Sequence, residues 1–276
     1  MQAHDHGQAL RSSVYSYLPF YSLFGCKINA FCELFIKLCH FFCKKNYFCA
    51  SKGQLDAKTC PRQNSLDIVK YLYDKYDKKA IAELPKVQFE GRIIVIQSVG
   101  EARRAVDYLL TFPRLGIDTE TRPNFKPGAM NPVALLQVST PDTCFLFRLN
   151  RMGLPECVVR LLTDAHTQKI GLSLHDDWTQ LRRRVDFEPV NYVEIQEQVK
   201  RLGILDQSLQ KLYANLFRQK ISKTQRLSNW EADVLTEPQK RYAATDAWAC
   251  LNLFKEINRL LTTKDYQLIT TEQESL

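Results

Sequence analysis

Between Leu115 and Leu149 three apolar runs, LGIDTET, VALLQVST and TCFLFRL, follow one another with turn-forming residues between them. Such a pattern predicts consecutive strands, and a sheet of this kind must cover its apolar faces with other elements. The flanking segments supply them. RIIVIQS predicts a buried strand, and SVGEARRAVDYLL predicts a helix, with Ser98 and Glu101 spaced as a capping box and Ala102, Ala105, Val106, Leu109 and Leu110 at helical intervals. CVVRLLTD predicts a short helix, KIGLSL a further buried strand and DDWTQLRRR the opening of a helix; after VNYVEI the chain turns mainly helical to about Leu261. SLDIVKYLYDKY, residues 65–76, also predicts a helix. The expected class is α/β, a sheet with helices on its faces.

Residues 14–50 differ sharply from the remainder of the chain, being rich in Phe, Tyr and Cys. Lys27, Glu33 and Lys37 interrupt their apolar run, which argues against a signal peptide or a stable membrane span. Three readings of residues 1–60 stay open: a disordered extension, a peripheral membrane contact ending in Lys44 and Lys45, or an upstream start outside the functional protein. Six of the nine cysteines fall in this segment without a CxxC pair. Neither a structural zinc site nor a disulfide framework is expected, and Cys144, Cys157 and Cys250 read as reduced thiols of a cytoplasmic protein. The net charge of +8 suits a polyanionic partner, but the excess is divided evenly between residues 1–60 and the rest, so charge alone carries little.

Three segments place acids where a core is expected. Asp118 and Glu120 alternate with Ile117 and Thr119, so the two carboxylates share one face of a strand. Side by side they repel unless solvated, protonated or bridged by cations. In KIGLSLHDDWTQL a strand runs into two aspartates opening a helix. Asp176 suits a capping role, whereas Asp177 lies one turn before Leu181 on the core-facing edge, with Asp176 as the alternative ligand. His175 reads as a structural residue. In LTEPQKRYAATDAWACLNLF, Thr236, Pro238 and Gln239 mark a helix start, and Tyr242 and Asp246 stand i and i+4 on one face. Asp246 among Ala244, Ala247, Trp248 and Ala249 is costly to bury unpaired, and a cation shared with the strand pair would partner it. Oxygen-only donors favour Mg2+ or Mn2+ over zinc. Two such ions about 4 Å apart serve in-line phosphoryl displacement, the chemistry of nucleases.

In order along the chain, GIDTET, the aspartate after a KIG-type strand, and YAATD in a helix resemble the three exonuclease motifs of the DEDD superfamily in its tyrosine-bearing DEDDy branch. SNWEADVLTEPQKRYAATDAWA is similar to the closing segment of Werner-type 3'-5' exonuclease domains, and ribonuclease D shares the framework. The resemblance covers roughly residues 85–262. It implies a ribonuclease H-like mixed β-sheet flanked by helices on both faces, and release of nucleoside 5'-monophosphates from a nucleic-acid 3' end. It implies two divalent cations, with Asp118 bridging both, Glu120 and Asp246 holding the one that activates water, and Asp177 serving the second. Tyr242 would orient the attacking water. A catalytically silent nucleic-acid-binding scaffold with the same fold is the alternative, and DNA and RNA stay open as substrates.

On this reading residues 61–84 form a helical lead-in, 85–262 the exonuclease domain and 263–276 a C-terminal tail. Candidate strand-binding residues are Arg122, Lys126, Lys220, Lys223 and Arg226, with Tyr213, Phe217 and Trp230 interleaved as stacking surfaces. The run Arg182 to Arg184 reads equally as a solvated face.

Overall fold

The computed structural model describes residues 69–125 and 130–271, so the expectations for residues 1–60 and for Lys126 lie outside the described residues. In chain order the elements are β1 (Lys70–Tyr73), α1 (Lys78–Glu83), β2 (Lys86–Val87), β3 (Arg92–Ile96), α2 (Val99–Leu109), β4 (Arg114–Thr121), β5 (Val133–Ser139) and β6 (Thr143–Arg148). Then come α3 (Leu149–Met152), α4 (Glu156–Thr163), β7 (Gln168–Gly171), α5 (Leu174–Arg182), β8 (Tyr192–Glu194), α6 (Ile195–Lys200), α7 (Leu209–Phe217), β9 (Lys220–Ile221), α8 (Glu237–Thr263) and β10 (Tyr266–Ile269).

Six strands form the central sheet in the order β3-β6-β5-β4-β7-β8. β5 runs antiparallel to β4 and β6, and the remaining pairs are parallel. The sheet is therefore mixed, and β5, inside it, is buried along its whole length. Side chains alternate between its faces. Ile117, Leu136, Val138 and Phe147 pack with α2, α4 and α5 on one face. Leu135 and Leu146 pack beneath the first turns of α8 on the other, where the rest of α8 packs with α6 and α7.

The lead-in corrects the sequence expectation. Where residues 65–76 predict a helix, Lys70–Tyr73 is a strand, paired in parallel with β10 from Lys70↔Tyr266 to Tyr73↔Ile269. Leu72 is buried in this ladder beside exposed Tyr71. The partner strand lies at the other end of the domain, and local periodicity carries no information about it. Among the described residues, 69–84 thus contribute a strand and a short helix where a helical lead-in is expected, and 263–271 include β10; residues 61–68 and 272–276 lie outside the described residues.

One close approach sets the position of everything at the sheet's end. A Cβ added to Gly116 would lie 2.0 Å from the Ala247 carbonyl oxygen and 3.0 Å from Leu251 Cγ. Gly116 on β4 and the small residues Ala243, Ala244 and Ala247 on α8 let the helix backbone rest against the strand. Asp246, adjacent to Ala247, is thereby brought to Asp118, two residues beyond Gly116. Because a methyl group here meets backbone rather than a movable side chain, Gly116→Ala should destabilise the domain by about 1–3 kcal/mol, the usual cost of overpacking. Urea denaturation measures this, and unchanged stability would show that the helix is not held against the strand.

Candidate active site

β4 presents Asp118 and Glu120 near its end, where the pairing with β5 shifts register between Glu120 and Thr121. A bulge of this kind twists a strand and re-aims its side chains. α8 starts with the expected capping box: Gln239 donates its backbone N–H to Thr236 Oγ1 (3.4 Å), and Gln239 Oε1 accepts from Thr236 N (3.0 Å). Asp246 follows two turns later. One carboxylate oxygen from each of Asp118, Glu120 and Asp246 lies within 4.8 Å of the others. Burial, reinforced by the neighbouring carboxylates, raises Asp118 well above the usual carboxylate range and Glu120 to about 9. Burial raises Asp246 to about 7, opposed by its hydrogen bond with Tyr242 and by the charge of Lys223.

Asp177 reaches the same end from the opposite face of the sheet. The turn into α5 is made by Ser173 in the left-handed region, φ 64°. Glu194 accepts the N–H groups of Ser173 (2.9 Å) and Leu174 (2.7 Å), and Gln196 Nε2 donates to Ser173 Oγ (2.8 Å). So fixed, α5 directs Asp177 toward β4, where its Oδ1 accepts a hydrogen bond from the Thr119 hydroxyl. Burial raises it to about 7. Asp177 is not part of the group within 4.8 Å, yet its charge acts on both Asp118 and Glu120. Asp176, one residue earlier, is exposed. Ser173, Glu194 and Thr119 are the positioning residues that sequence reasoning missed. Nothing local marks Glu194, and Thr119 points away from Asp118 along an ideal strand.

The Tyr242 phenol hydrogen-bonds with Asp246, and burial together with the nearby acids raises its pKa, so it keeps its proton. Lys223 and Arg226 line a groove of ≈ 410 Å3 with Tyr242 and Asp246. Arg226 acts electrostatically on Glu120 and Lys223 on Asp246. The other proposed binding residues are differently employed. Lys220 Nζ donates to the Ala82 carbonyl oxygen, tying β9 to α1, and Arg122 pairs with Glu231 at 3.2 Å. Trp230, at 0% exposure, and Tyr213 are core residues, and Phe217 packs against the core. They are not open stacking surfaces, because their apolar area is spent beneath α8 and beside α7. Arg184 donates to the Val133 carbonyl oxygen (2.7 Å) instead of facing solvent freely.

Like charges held this close, donated by oxygen atoms alone and only partly offset by Lys223 and Arg226, fit a hard divalent cation. Asp118, Glu120 and Asp246 would hold it, with Asp177 at its flank.

The family model described as 3'-5' exonuclease matches residues 93–262. The chain is 30% identical over 168 residues to the mouse bifunctional 3'-5' exonuclease/ATP-dependent helicase WRN, covering 59% of this chain and 12% of that protein. It is 27% identical over 192 residues to an Arabidopsis thaliana 3'-5' exonuclease, covering 64% of this chain and 67% of that one. Among solved structures, the Aedes aegypti Nibbler EXO domain aligns with a TM-score of 0.58 at 19% identity, over 64% of this chain and 92% of that one, which supports the same fold.

Carboxyls whose pKa rises on folding stabilise the fold below their unfolded value of about 4 and lose that contribution as pH climbs. The loss begins above about pH 4 and is complete at about 7 for Asp177 and Asp246 and at about 9 for Glu120. Without divalent ions, Asp246→Asn should therefore melt above the wild type near about pH 8.5, with the gap closing toward about pH 4. Mn2+ should raise the melting temperature of the wild type more than that of the variant. Differential scanning fluorimetry across pH tests this, and a gap independent of pH would count against it.

Proposed function

Because the chain belongs to the 3'-5' exonuclease family, we propose that it shortens nucleic-acid strands from their 3' ends, releasing nucleoside 5'-monophosphates. The observation that carries this reading is the convergence of Asp118, Glu120 and Asp246 within 4.8 Å, from a strand and a helix forced into contact. We assign the exonuclease domain to residues 85–262, with β1, α1 and β10 as an accessory layer. The first relative is covered over only 12% of its length, so its further activities are not carried over.

Two divalent cations, Mg2+ or Mn2+, would lower the pKa of an attacking water and neutralise charge on the scissile phosphate. Asp118 would contact both, Glu120 and Asp246 the ion nearest the water, and Asp177 the other. The protonated Tyr242 phenol is suited to orienting the water by hydrogen bonding, since a group that holds its proton this firmly is no general base. Water oxygen bonds to phosphorus as the bond to the 3' oxygen breaks, which leaves a nucleoside 5'-monophosphate and a strand shorter by one residue. Lys223 and Arg226, exposed on the loop after β9, would grip the backbone phosphates. Lys78, exposed at the start of α1, lies within electrostatic reach of Lys223 and extends the same cationic strip. Phe125, 84% exposed just past β4, offers a base the stacking surface that buried Trp230 does not.

No helix among the described residues is long and apolar enough to cross a membrane. The free thiols of Cys144, Cys157 and Cys250 support a reducing, cytoplasmic setting.

Matched 3'-labelled single-stranded DNA, recessed duplex DNA and RNA, incubated with Mn2+, test the proposal and identify the substrate together. Mononucleotide release is expected from at least one. Binding without release from any would make the chain a silent scaffold. In the same assay Asp177→Asn should abolish hydrolysis while strand binding persists, and Asp176→Asn should leave both intact; the reverse result would reassign the ligand. Lys223→Ala with Arg226→Ala should weaken strand binding and flatten its salt dependence by roughly one counterion per charge removed, read by fluorescence anisotropy. An unchanged salt slope would remove these residues from the interface.

A further inference from the structure

Gln137 stands in the middle of β5, opposite Asp118 on one neighbouring strand and Leu146 on the other. Directly opposed residues of an antiparallel pair share a face, with Cβ atoms about 4.5–5.5 Å apart. Leu135, two residues before Gln137, and Leu146 both pack beneath Ala243 and Ala244 of α8, so the Gln137 amide lies on the α8 side, next to Asp118 and under the helix that carries Asp246. Its exposure is 0%, and neither Oε1 nor Nε2 has a hydrogen-bond partner.

A buried amide without a partner costs free energy that an apolar side chain of the same size would not. The rest of β5 shows that apolar residues fit here: Val133, Ala134, Leu135, Leu136 and Val138 fill the positions around it. Ser139, two residues on in the same strand, has its hydroxyl satisfied, Oγ donating to the Thr140 carbonyl oxygen at 2.8 Å. Across the register the orphaned amide of Gln137 faces Asp118, one of the three acids whose oxygens converge within 4.8 Å.

We propose that Gln137 is a positioning residue, whose amide N–H orients the Asp118 carboxylate for cation binding. The inference rests on the cation-dependent reading above. Groups that hydrogen-bond a ligating carboxylate fix its orientation, and their loss usually lowers metal affinity about 10- to 100-fold.

Replacing Gln137 by Met in the full chain separates this role from a structural one by the sign of two readouts. Without divalent ions the variant should melt no lower than the wild type, and higher if the orphaned amide is costly. Its Mn2+ affinity by isothermal titration calorimetry should fall by about 10- to 100-fold. Gln137→Leu repeats the test if the Met variant fails to fold. A fall in cation-free stability in both variants, whatever happens to Mn2+ affinity, would overturn the proposal, as would unchanged Mn2+ affinity. Failure of the wild type itself to bind Mn2+ would defeat the cation reading, and this inference with it.

Discussion

The approach of α8 to β4 at Gly116 is the constraint on which the site depends. With helix backbone seated against strand, the carboxylates of Asp118, Glu120 and Asp246 have nowhere to diverge, and their mutual repulsion becomes part of the fold. Packing energy supplied by the alanine face of α8, and by the clusters above and below it, holds the acids together against that repulsion. Burial raises the pKa of all four carboxylates, and the neighbouring site acids add to it for Asp118 and Glu120. A divalent cation held there would turn the repulsion into attraction.

The second aspect of the site is its assembly from both faces of the sheet. α8 delivers Asp246 from one side; α5, on the other, delivers Asp177 through a turn held by Ser173 and Glu194. A left-handed serine is a conformational cost that surrounding structure must overrule, and such residues concentrate at functional sites. Here the Glu194 carboxylate does this by accepting the two backbone N–H groups that the turn exposes. Thr119 then links the faces, its hydroxyl reaching Asp177 from between the two acids of β4.

Much of this was legible in the sequence, and the remainder was hidden for identifiable reasons. The strands from Leu115 to Arg148, the capping boxes at Ser98 and Thr236 and the inward edge given to Asp177 rather than Asp176 rest on local periodicity and spacing, which survive folding unchanged. The strand at Lys70–Tyr73 was not legible because it exists through its pairing with β10. Trp230 and Tyr213 look like stacking platforms in a basic stretch, but the stretch folds back so that its aromatics face the core while Lys223 and Arg226 face the groove. Gln137 is, in the sequence, simply one member of an apolar run. Its position opposite Asp118 is a matter of the register between β4 and β5, which nothing within VALLQVST displays.

That these acids are a cation platform is tested most directly by anomalous X-ray diffraction from Mn2+-soaked crystals. A peak among Asp118, Glu120 and Asp246 is predicted. Manganese bound elsewhere, with no peak in contact with Asp118, would contradict it.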